Sequence, residues 1–189
     1  MEIFKRAISA TLALLLLTKM CQGLPPETKA LCNYTITIET MCTKGADTSN
    51  KISLRFGDMK FNDVLIHHVN SKHMRQVDPL EPAVYLDEAP KKPFQECTVD
   101  EFQVTGLCVE EPICYMYLKL NGDDDWRPGV ADVRMSQASH LSSTDFYFRR
   151  YLPRNVWYGS DMCRGEVTPF GIKQERKVFS EKAILKSSP

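Results

Sequence analysis

The sequence carries no excess of charge of either sign. Its 189 residues include 24 Lys and Arg and 24 Asp and Glu, so the formal net charge at pH 7 is zero. A neutral chain has no general electrostatic attraction to nucleic acid or to anionic membranes. The composition therefore argues against nucleic-acid binding and leaves only local charged patches for anionic partners.

Sequence signals of a catalytic site are also missing. A hydrolase needs a nucleophile, a base and an orienting group that meet in a cleft, and there is no Gly-x-Ser-x-Gly turn. The four histidines are His67, His68, His73 and His140. His67 and His68 are adjacent on a strand pattern and would face opposite sides, and no third ligand is spaced to complete a zinc site with His67 and His73. We therefore expect ordinary polar histidines, and a small extracellular hydrolase is kept only as a third hypothesis.

No apolar run is long enough to cross a bilayer, which takes about 20 residues. The longest run, Ala7–Leu17, follows the basic pair Lys5 and Arg6 and precedes a small residue at Gly23. This arrangement is typical of a secretory signal. A buried or membrane-anchored helix is the alternative, but no stop-transfer pattern follows. We predict a signal peptide at residues 1–23, a secreted extracellular protein and no transmembrane segment.

The number of cysteines left after removal of the predicted signal peptide is informative. Once Cys21 leaves with the signal peptide, an even set of six remains: Cys32, Cys42, Cys97, Cys108, Cys114 and Cys163. Such a set behind a signal peptide predicts a disulfide framework. Zinc is the competing reading, and the absence of a Cys-x-x-Cys pair speaks against it. Six cysteines allow fifteen pairings, among which the sequence alone does not choose.

Short segments of alternating polarity recur along the chain and predict about eight strands. They are Cys32–Thr40, Ile52–Phe56, Val64–His67, Phe102–Thr105, Cys114–Leu120, Val130–Met135, Asp145–Arg149 and Leu152–Gly159. The first segment also contains a glycosylation sequon at Asn33, although a position in a strand beside a disulfide disfavours its use. With no long helical period, the pattern predicts an all-β sandwich in one domain at 24–163.

Two segments lie outside this strand pattern. Residues 69–93 contain four prolines among mixed charges and are predicted to form a long surface excursion. Residues 164–189 carry six cationic residues against three glutamates. We predict a polar, disordered C-terminal tail there; a basic anchor for an acidic surface is the alternative.

Three features are candidates for binding. Asp123, Asp124 and Asp125 follow a glycine in a turn, where carboxylate oxygens suit a calcium ion, although aspartate also favours turns for conformational reasons. Two tryptophans, Trp126 and Trp157, are membrane-dipping anchors or core residues. A tyrosine pair, Tyr115 and Tyr117, falls on the outer face of a strand, where it binds a lipid or a sugar ring or is covered by a second sheet.

The order of these motifs resembles the PLAT (lipoxygenase-homology) sandwich. The matching positions are Asp100-Glu-Phe102, Gly106, Tyr115–Leu120, Asp123–Asp125, Trp126, Val130–Val133, Phe146-Tyr-Phe148 and Val156-Trp157. The match extends to a branch of small secreted plant proteins, the embryo-specific or seed-specific proteins, at Cys32–Ile38, Ile52–Asp58, Cys114–Leu118, Asp124–Pro128 and Leu152–Gly159. Gly129 departs from the pattern, which has an acidic residue there.

The resemblance implies a two-sheet antiparallel sandwich and a noncatalytic module that binds a lipid or membrane surface or a protein partner in seed or embryo development. The alternative it implies is a calcium-dependent membrane-docking accessory of a lipid-metabolising enzyme. In that family the first and last strands are antiparallel neighbours. The resemblance therefore implies a Cys32–Cys163 disulfide, and with it we expect Cys108–Cys114 and Cys42–Cys97.

Overall fold

A computed structural model describes residues 30–69, 74–78, 92–169, 171–173 and 175–180. The predicted signal peptide, His73 and most of the 69–93 excursion lie outside these residues. Within the described ranges, no helix has the length and apolar character needed to span a membrane.

The described residues form twelve strands and one turn of 3₁₀ helix at Ser139–Leu141. The strands are β1 Leu31–Thr40, β2 Lys51–Gly57, β3 Asp63–Ile66, β4 Met74–Val77, β5 Val99–Leu107, β6 Tyr115–Asn121, β7 Pro128–Met135, β8 Phe146–Tyr147, β9 Trp157–Asp161, β10 Val167–Thr168, β11 Gly171–Ile172 and β12 Glu175–Phe179.

Ten of these strands make two five-stranded sheets. The first sheet has the order β4-β5-β1-β7-β8 and the second the order β12-β9-β6-β2-β3, while β10 and β11 form a separate hairpin. Every paired strand is antiparallel to its neighbour. The two-sheet antiparallel sandwich predicted from the sequence is confirmed.

The alternation in β1 explains how the first sheet packs. Tyr34, Ile36 and Ile38 are buried in the main apolar core, as their shared face predicts. The second sheet contributes Leu54 and Leu118 to the same cluster. Burying an aliphatic side chain of this size contributes roughly 1.5–3 kcal/mol, so the two inner faces supply the main force that holds the sheets together.

Both tryptophans are buried. Trp126 has no exposed surface, its ring lies 4.8 Å from that of Phe94, and its Nε1 donates a hydrogen bond to Thr40 Oγ1 over 3.2 Å. Trp157 is 2% exposed and packs with Tyr115 and Tyr117 on the outer face of the second sheet. The membrane-anchor reading of these two side chains is therefore wrong.

The disulfides join Cys32 to Cys108, Cys42 to Cys97 and Cys114 to Cys163. Only the Cys42–Cys97 bond agrees with the expectation; Cys32–Cys163 and Cys108–Cys114 are wrong. The reason is the strand order. The first strand β1 lies between β5 and β7, whereas Cys163 follows β9 in the other sheet.

The chain after Cys163 is not wholly a disordered tail. Glu175–Phe179 pairs with β9 as an edge strand of the second sheet, in a register that sets Lys177 opposite Gly159 and Phe179 opposite Trp157. Charged residues are common on edge strands because they discourage pairing with a second molecule. The high charge of this segment thus fits a strand as well as a tail.

A buried carboxylate fixes one end of the sandwich. Asp58 follows β2 and is 1% exposed. Its Oδ2 accepts hydrogen bonds from the backbone N–H groups of Glu110 and Glu111 and from Asn62 Nδ2, and its Oδ1 accepts one from Asn62 N. Burial alone would raise the pKa of Asp58, but these hydrogen bonds outweigh it and the pKa is lowered. The β2–β3 turn is thereby tied to the segment between β5 and β6.

Candidate functional site

An open groove of about 1240 Å³ lies on the outer face of the second sheet. Tyr115, Tyr117 and Phe179 line its floor, and the β2–β3 turn and the residues that flank the β10–β11 hairpin lie at its sides. The three rings form a continuous row, with centroids 5.5 Å apart between the tyrosines and 4.8 Å apart between Tyr117 and Phe179. We call this feature the tyrosine groove.

Two strand glycines allow the tyrosine rings to lie flat on the sheet. The strand register sets Gly57 opposite Tyr115 and Gly159 opposite Tyr117. A Cβ atom on Gly57 would overlap the Tyr115 hydroxyl, and one on Gly159 would lie 2.7 Å from Tyr117 Cδ1. Glycine inside a strand commonly marks such a close approach. The floor therefore depends on both glycines.

The first tyrosine of the floor belongs to a hydrogen-bonded row across three strands. The Tyr115 hydroxyl donates to Asp63 Oδ1 over 2.7 Å, and Arg55 Nε lies 2.6 Å from the same oxygen. Burial raises the pKa of Tyr115, and the nearby Asp63 carboxylate raises it further. This phenol is accordingly a neutral hydrogen-bond donor at physiological pH.

The second tyrosine is held in the same manner. The Tyr117 hydroxyl donates to Asp161 Oδ2 over 3.3 Å, and Lys177 Nζ donates to the same oxygen over 2.7 Å. Burial, followed by the charge of Asp161, raises the pKa of Tyr117. The hydrogen bond to Asp161 raises the pKa of Lys177. Both groups are thus protonated at neutral pH and paired to one carboxylate.

Two exposed apolar side chains stand at the mouth of the groove. Met59 is 56% exposed and Phe61 is 80% exposed. Phe61 has a φ of 63°, a left-handed conformation that is unusual for a bulky residue. Between them Lys60 pairs with Glu110 and Glu111. An exposed aromatic ring on a strained turn is a common property of binding surfaces.

The carboxylates of the acidic turn, Asp123–Asp125, do not converge on a common point where a metal ion could bind. Asp124 Oδ2 accepts hydrogen bonds from Thr48 Oγ1 and Ser49 N, each over 3.0 Å, which lowers the pKa of Asp124. Asp125 Oδ1 accepts two from Arg154, over 2.6 and 3.1 Å. No group of three or more His, Cys, Asp or Glu side chains suited to a metal occurs in the described part of the chain. Calcium binding by Asp123, Asp124 and Asp125 stays a prediction.

The remaining candidates are separate surface features. His67 and His68 are exposed just beyond the end of β3, and His140 is exposed in the 3₁₀ turn. Asn33 is exposed on β1, and its Oδ1 accepts a hydrogen bond from Thr105 Oγ1 over 2.9 Å. Its glycosylation stays a prediction.

Sequence reasoning identified Tyr115 and Tyr117 but missed what surrounds them. It left open whether the pair is bare or covered, and both rings are buried at the base of the groove, with 8% and 6% of their surface exposed. It missed Asp63, Asp161 and Lys177, because cross-strand pairing brings these together. Gly57 and Gly159 were the available signal, since each interrupts a segment of strand-forming residues.

Comparison with known proteins places these features in context. Residues 19–163 match a family model described as Embryo-specific protein 3 (ATS3). The chain is 32% identical over 139 residues to Embryo-specific protein ATS3A of Arabidopsis thaliana. The aligned region covers 74% of this chain and 66% of that protein. It is 33% identical over 133 residues to Embryo-specific protein ATS3B of the same plant, covering 70% and 58%. The chain thus spans less than two thirds of the length of these relatives.

Among solved structures, the chain is similar to coral 8R-lipoxygenase, with a TM-score of 0.42, 15% identity, and coverage of 78% of this chain and 16% of that one.

Proposed function

The chain belongs to the embryo-specific protein 3 family, and from that premise we propose that it is a secreted, noncatalytic binding module whose tyrosine groove receives a protein or lipid partner. The observation that carries this proposal is the groove itself. It combines an aromatic floor with paired charges and an exposed apolar mouth, which are features of binding sites rather than of reactive centres.

The state of the groove's ionisable groups supports a noncatalytic role. General acid–base catalysis is most effective when the pKa of the group lies near the working pH. Here the pKa values of Tyr115 and Tyr117 are raised from an already basic value, and that of Lys177 is raised too. These groups stay protonated and donate their hydrogen bonds to Asp63 and Asp161, so none of them is poised to exchange a proton at neutral pH.

The mouth of the groove indicates what kind of partner fits. The exposed side chains of Met59 and Phe61 offer apolar contact area, and the Lys60 side chain between them stays 54% exposed while its ammonium group pairs with Glu110 and Glu111. A lipid surface or an amphipathic protein segment satisfies both requirements. The paired charges along the groove then orient the bound partner.

Secretion is supported by the disulfides and by the predicted signal peptide. Three disulfides in a chain of this size are typical of an oxidising compartment. The names of the Arabidopsis relatives associate the family with embryos, and we extend that association to this chain as part of the proposal.

Vesicle co-sedimentation with matched variants tests the proposal. The change Phe61→Gly removes the exposed ring at a backbone position that glycine adopts without strain. The control Val178→Ala removes an exposed apolar side chain that does not line the groove. Vesicles of phosphatidylcholine, with and without phosphatidylserine, are compared with affinity capture from embryo extract.

We expect Phe61→Gly to weaken one of these two interactions and Val178→Ala to leave it unchanged. Retention that is the same for both variants would contradict the groove as the binding site. Turnover of generic ester or glycoside substrates by the purified protein would contradict the noncatalytic role and support the hypothesis of a small extracellular hydrolase.

A further inference from the structure

Three arginines line an open depression of about 420 Å³ at the end of the sandwich away from the mouth of the tyrosine groove. They are Arg127, Arg149 and Arg150, and Tyr151 completes the lining. The strand register fixes the location. The β2–β6 pair begins at the groove mouth, whereas Arg127, a few residues beyond its far end, donates a backbone hydrogen bond to Ala46. We call this feature the arginine platform.

The charge of the platform is not compensated within the described part of the chain. None of Arg127, Arg149 and Arg150 forms an ion pair with a described carboxylate. The nearby Asp124 and Asp125 are occupied by Thr48, Ser49 and Arg154. Arg127 Nε is buried and has no hydrogen-bond acceptor among the described residues. A chain with a net charge of zero therefore concentrates three unpaired cations in one place.

Aromatic rings hold the three guanidinium groups in position. The guanidinium carbon of Arg127 lies 5.6 Å from the Tyr151 ring centroid, that of Arg149 lies 4.8 Å from the Tyr147 centroid, and that of Arg150 lies 5.2 Å from the Tyr158 centroid. Such stacking engages the face of a guanidinium and leaves the edge N–H donors of Arg149 and Arg150 available for a planar oxyanion. Arg127 keeps part of its edge for the protein, because its Nη1 donates to Thr43 Oγ1 over 3.3 Å. Less side-chain entropy is then lost when an anion binds.

The backbone beneath the platform is also fixed. Arg149 N donates to the carbonyl oxygens of Pro128 and Gly129, over 3.0 and 3.3 Å. Arg149 has a φ of 49°, in the left-handed region that arginine seldom adopts. Two adjacent arginines are thus presented side by side from a turn that the start of β7 holds in place.

We propose that the arginine platform binds the carboxylates of an acidic saccharide chain, such as an oligomer of uronic acid. A carboxylate matches the two-pronged edge of a guanidinium. Tyr147 and Tyr151 are 37% and 43% exposed, so each offers aromatic surface to a sugar ring besides the face that it gives to a guanidinium. A membrane is the poorer match, because Met59 and Phe61, the exposed apolar pair suited to insertion, stand at the other end of the sandwich. This inference is independent of the partner proposed for the tyrosine groove.

Titration calorimetry on the whole mature protein tests the site with three probes. The first is a uronic-acid trisaccharide, the second is the same trisaccharide with its carboxylates methyl-esterified, and the third is inorganic phosphate. We expect binding of the first probe only, and we expect it to weaken as salt rises, because the contacts are charged and near the surface.

Variants locate the site on the protein. Arg149→Gln and Arg150→Gln each remove one guanidinium, and each is expected to weaken trisaccharide binding by about tenfold or more, the usual effect of losing a charge-assisted hydrogen bond. Arg164→Gln removes an exposed arginine that lines the tyrosine groove and lies outside the platform, and it is the matched control for trisaccharide binding. Thermal unfolding of each variant shows that it is folded. Because the two platform variants are independent, an unfolded Arg149→Gln still leaves the Arg150→Gln measurement.

Three results would overturn the proposal. Equal binding of the esterified trisaccharide would show that the carboxylates are not recognised. Phosphate binding without trisaccharide binding would reassign the platform to another oxyanion. An affinity that falls in Arg164→Gln and not in the two platform variants would place the binding elsewhere, as would the absence of any binding.

Discussion

The hydroxyl group of Tyr115 reaches over Gly57 of the neighbouring strand to donate a 2.7 Å hydrogen bond to Asp63. The three residues form one row across β6, β2 and β3, and glycine in the middle position leaves the space through which the phenol passes. The same carboxylate oxygen pairs with Arg55. One side chain thus connects the floor of the groove to the edge of the sheet.

Removing that hydroxyl should destabilise the fold. Tyr115→Phe leaves the ring in place but deprives Asp63 of a donor, and we expect a loss of about 1–2 kcal/mol in the free energy of unfolding. Tyr147→Phe is the control, since the Tyr147 hydroxyl also donates to a carboxylate, that of Asp145, but at an exposed site. Urea denaturation measures both. Equal losses in the free energy of unfolding would show that the Tyr115 hydrogen bond contributes no more to stability than the exposed one made by Tyr147.

The hydrogen bonds that the buried Asp58 carboxylate accepts from Asn62, Glu110 and Glu111 give a second prediction. Whichever way the amide of Asp58→Asn turns, its NH2 group faces a donor that the carboxylate accepted from, so we expect a loss of about 2–3 kcal/mol at pH 7. Asp123→Asn changes an exposed carboxylate in the acidic turn and should stay within about 0.5 kcal/mol of the parent protein. Chemical denaturation at pH 7 checks both values.

The cost of Asp58→Asn should also depend on pH. The folded protein holds the pKa of Asp58 below its unfolded value, which is about 3.9. The stability that the ionised carboxylate supplies is therefore complete above that value and is lost as pH falls through the lower, folded pKa. The stability gap between parent and variant should narrow as the pH falls below about 4. A gap that widens in acid would contradict the lowered pKa.

The strand β12 can be tested by its alternation. Phe179 packs its ring against Tyr117, whereas Val178 is 59% exposed. We expect Phe179→Ala to cost about 1–3 kcal/mol and Val178→Ala to cost less than about 0.5 kcal/mol. Thermal and urea unfolding measure the difference. If neither change has an effect, residues 175–179 do not belong to the folded domain.

Peptide mapping without reduction checks the disulfides. The structure requires three linked peptide pairs, joining Cys32 with Cys108, Cys42 with Cys97 and Cys114 with Cys163. Replacing Cys114 and Cys163 together by serine opens a loop with a sequence separation of 49, and the chain-entropy argument assigns such a loop about 4 kcal/mol. A peptide that links Cys32 to Cys163 would contradict the strand order itself.

Calcium gives the last prediction. A bound ion at one hundred times its dissociation constant adds about 2.7 kcal/mol to stability. Because Asp124 and Asp125 are engaged by protein donors, we expect the melting temperature to be the same with and without added calcium. A rise that disappears in Asp123→Asn would show that the acidic turn binds the ion, and would favour the calcium-dependent docking hypothesis over the proposed function.

The sequence was sufficient for the fold class and insufficient for the strand order. The alternation of Tyr34, Ile36 and Ile38 shows which face of β1 is buried, and this depends on residues that are neighbours in the chain. Which strand lies beside β1 depends on contacts between distant segments, about which local alternation says nothing. The expected Cys32–Cys163 disulfide was wrong for that reason, because it placed the last strand next to β1.

The candidate site also combines features that neighbouring residues determine with features that depend on contacts between distant segments. The sequence identified the outward tyrosines of β6, since strand periodicity alone sets their direction. It did not identify Asp63 or Asp161, whose roles arise only when three strands lie side by side. Gly129 is a further case. The family pattern has an acidic residue at position 129, where this chain has glycine. The Glu39 carboxylate from β1 lies over Gly129 instead and accepts a hydrogen bond from Val130 N.

Between Cys32 and Cys163, the three disulfides leave one short joint, residues 109–113, that no disulfide bypasses. A protease that cuts once between Cys32 and Cys108, or once between Cys114 and Cys163, leaves two pieces joined by a disulfide. A cut in residues 109–113 leaves none. Each sheet takes strands from both sides of that joint, so the nicked protein would stay together until it is denatured. Asp58 binds the backbone of this joint directly, so a buried carboxylate holds the one link between Cys32 and Cys163 that the disulfides leave open.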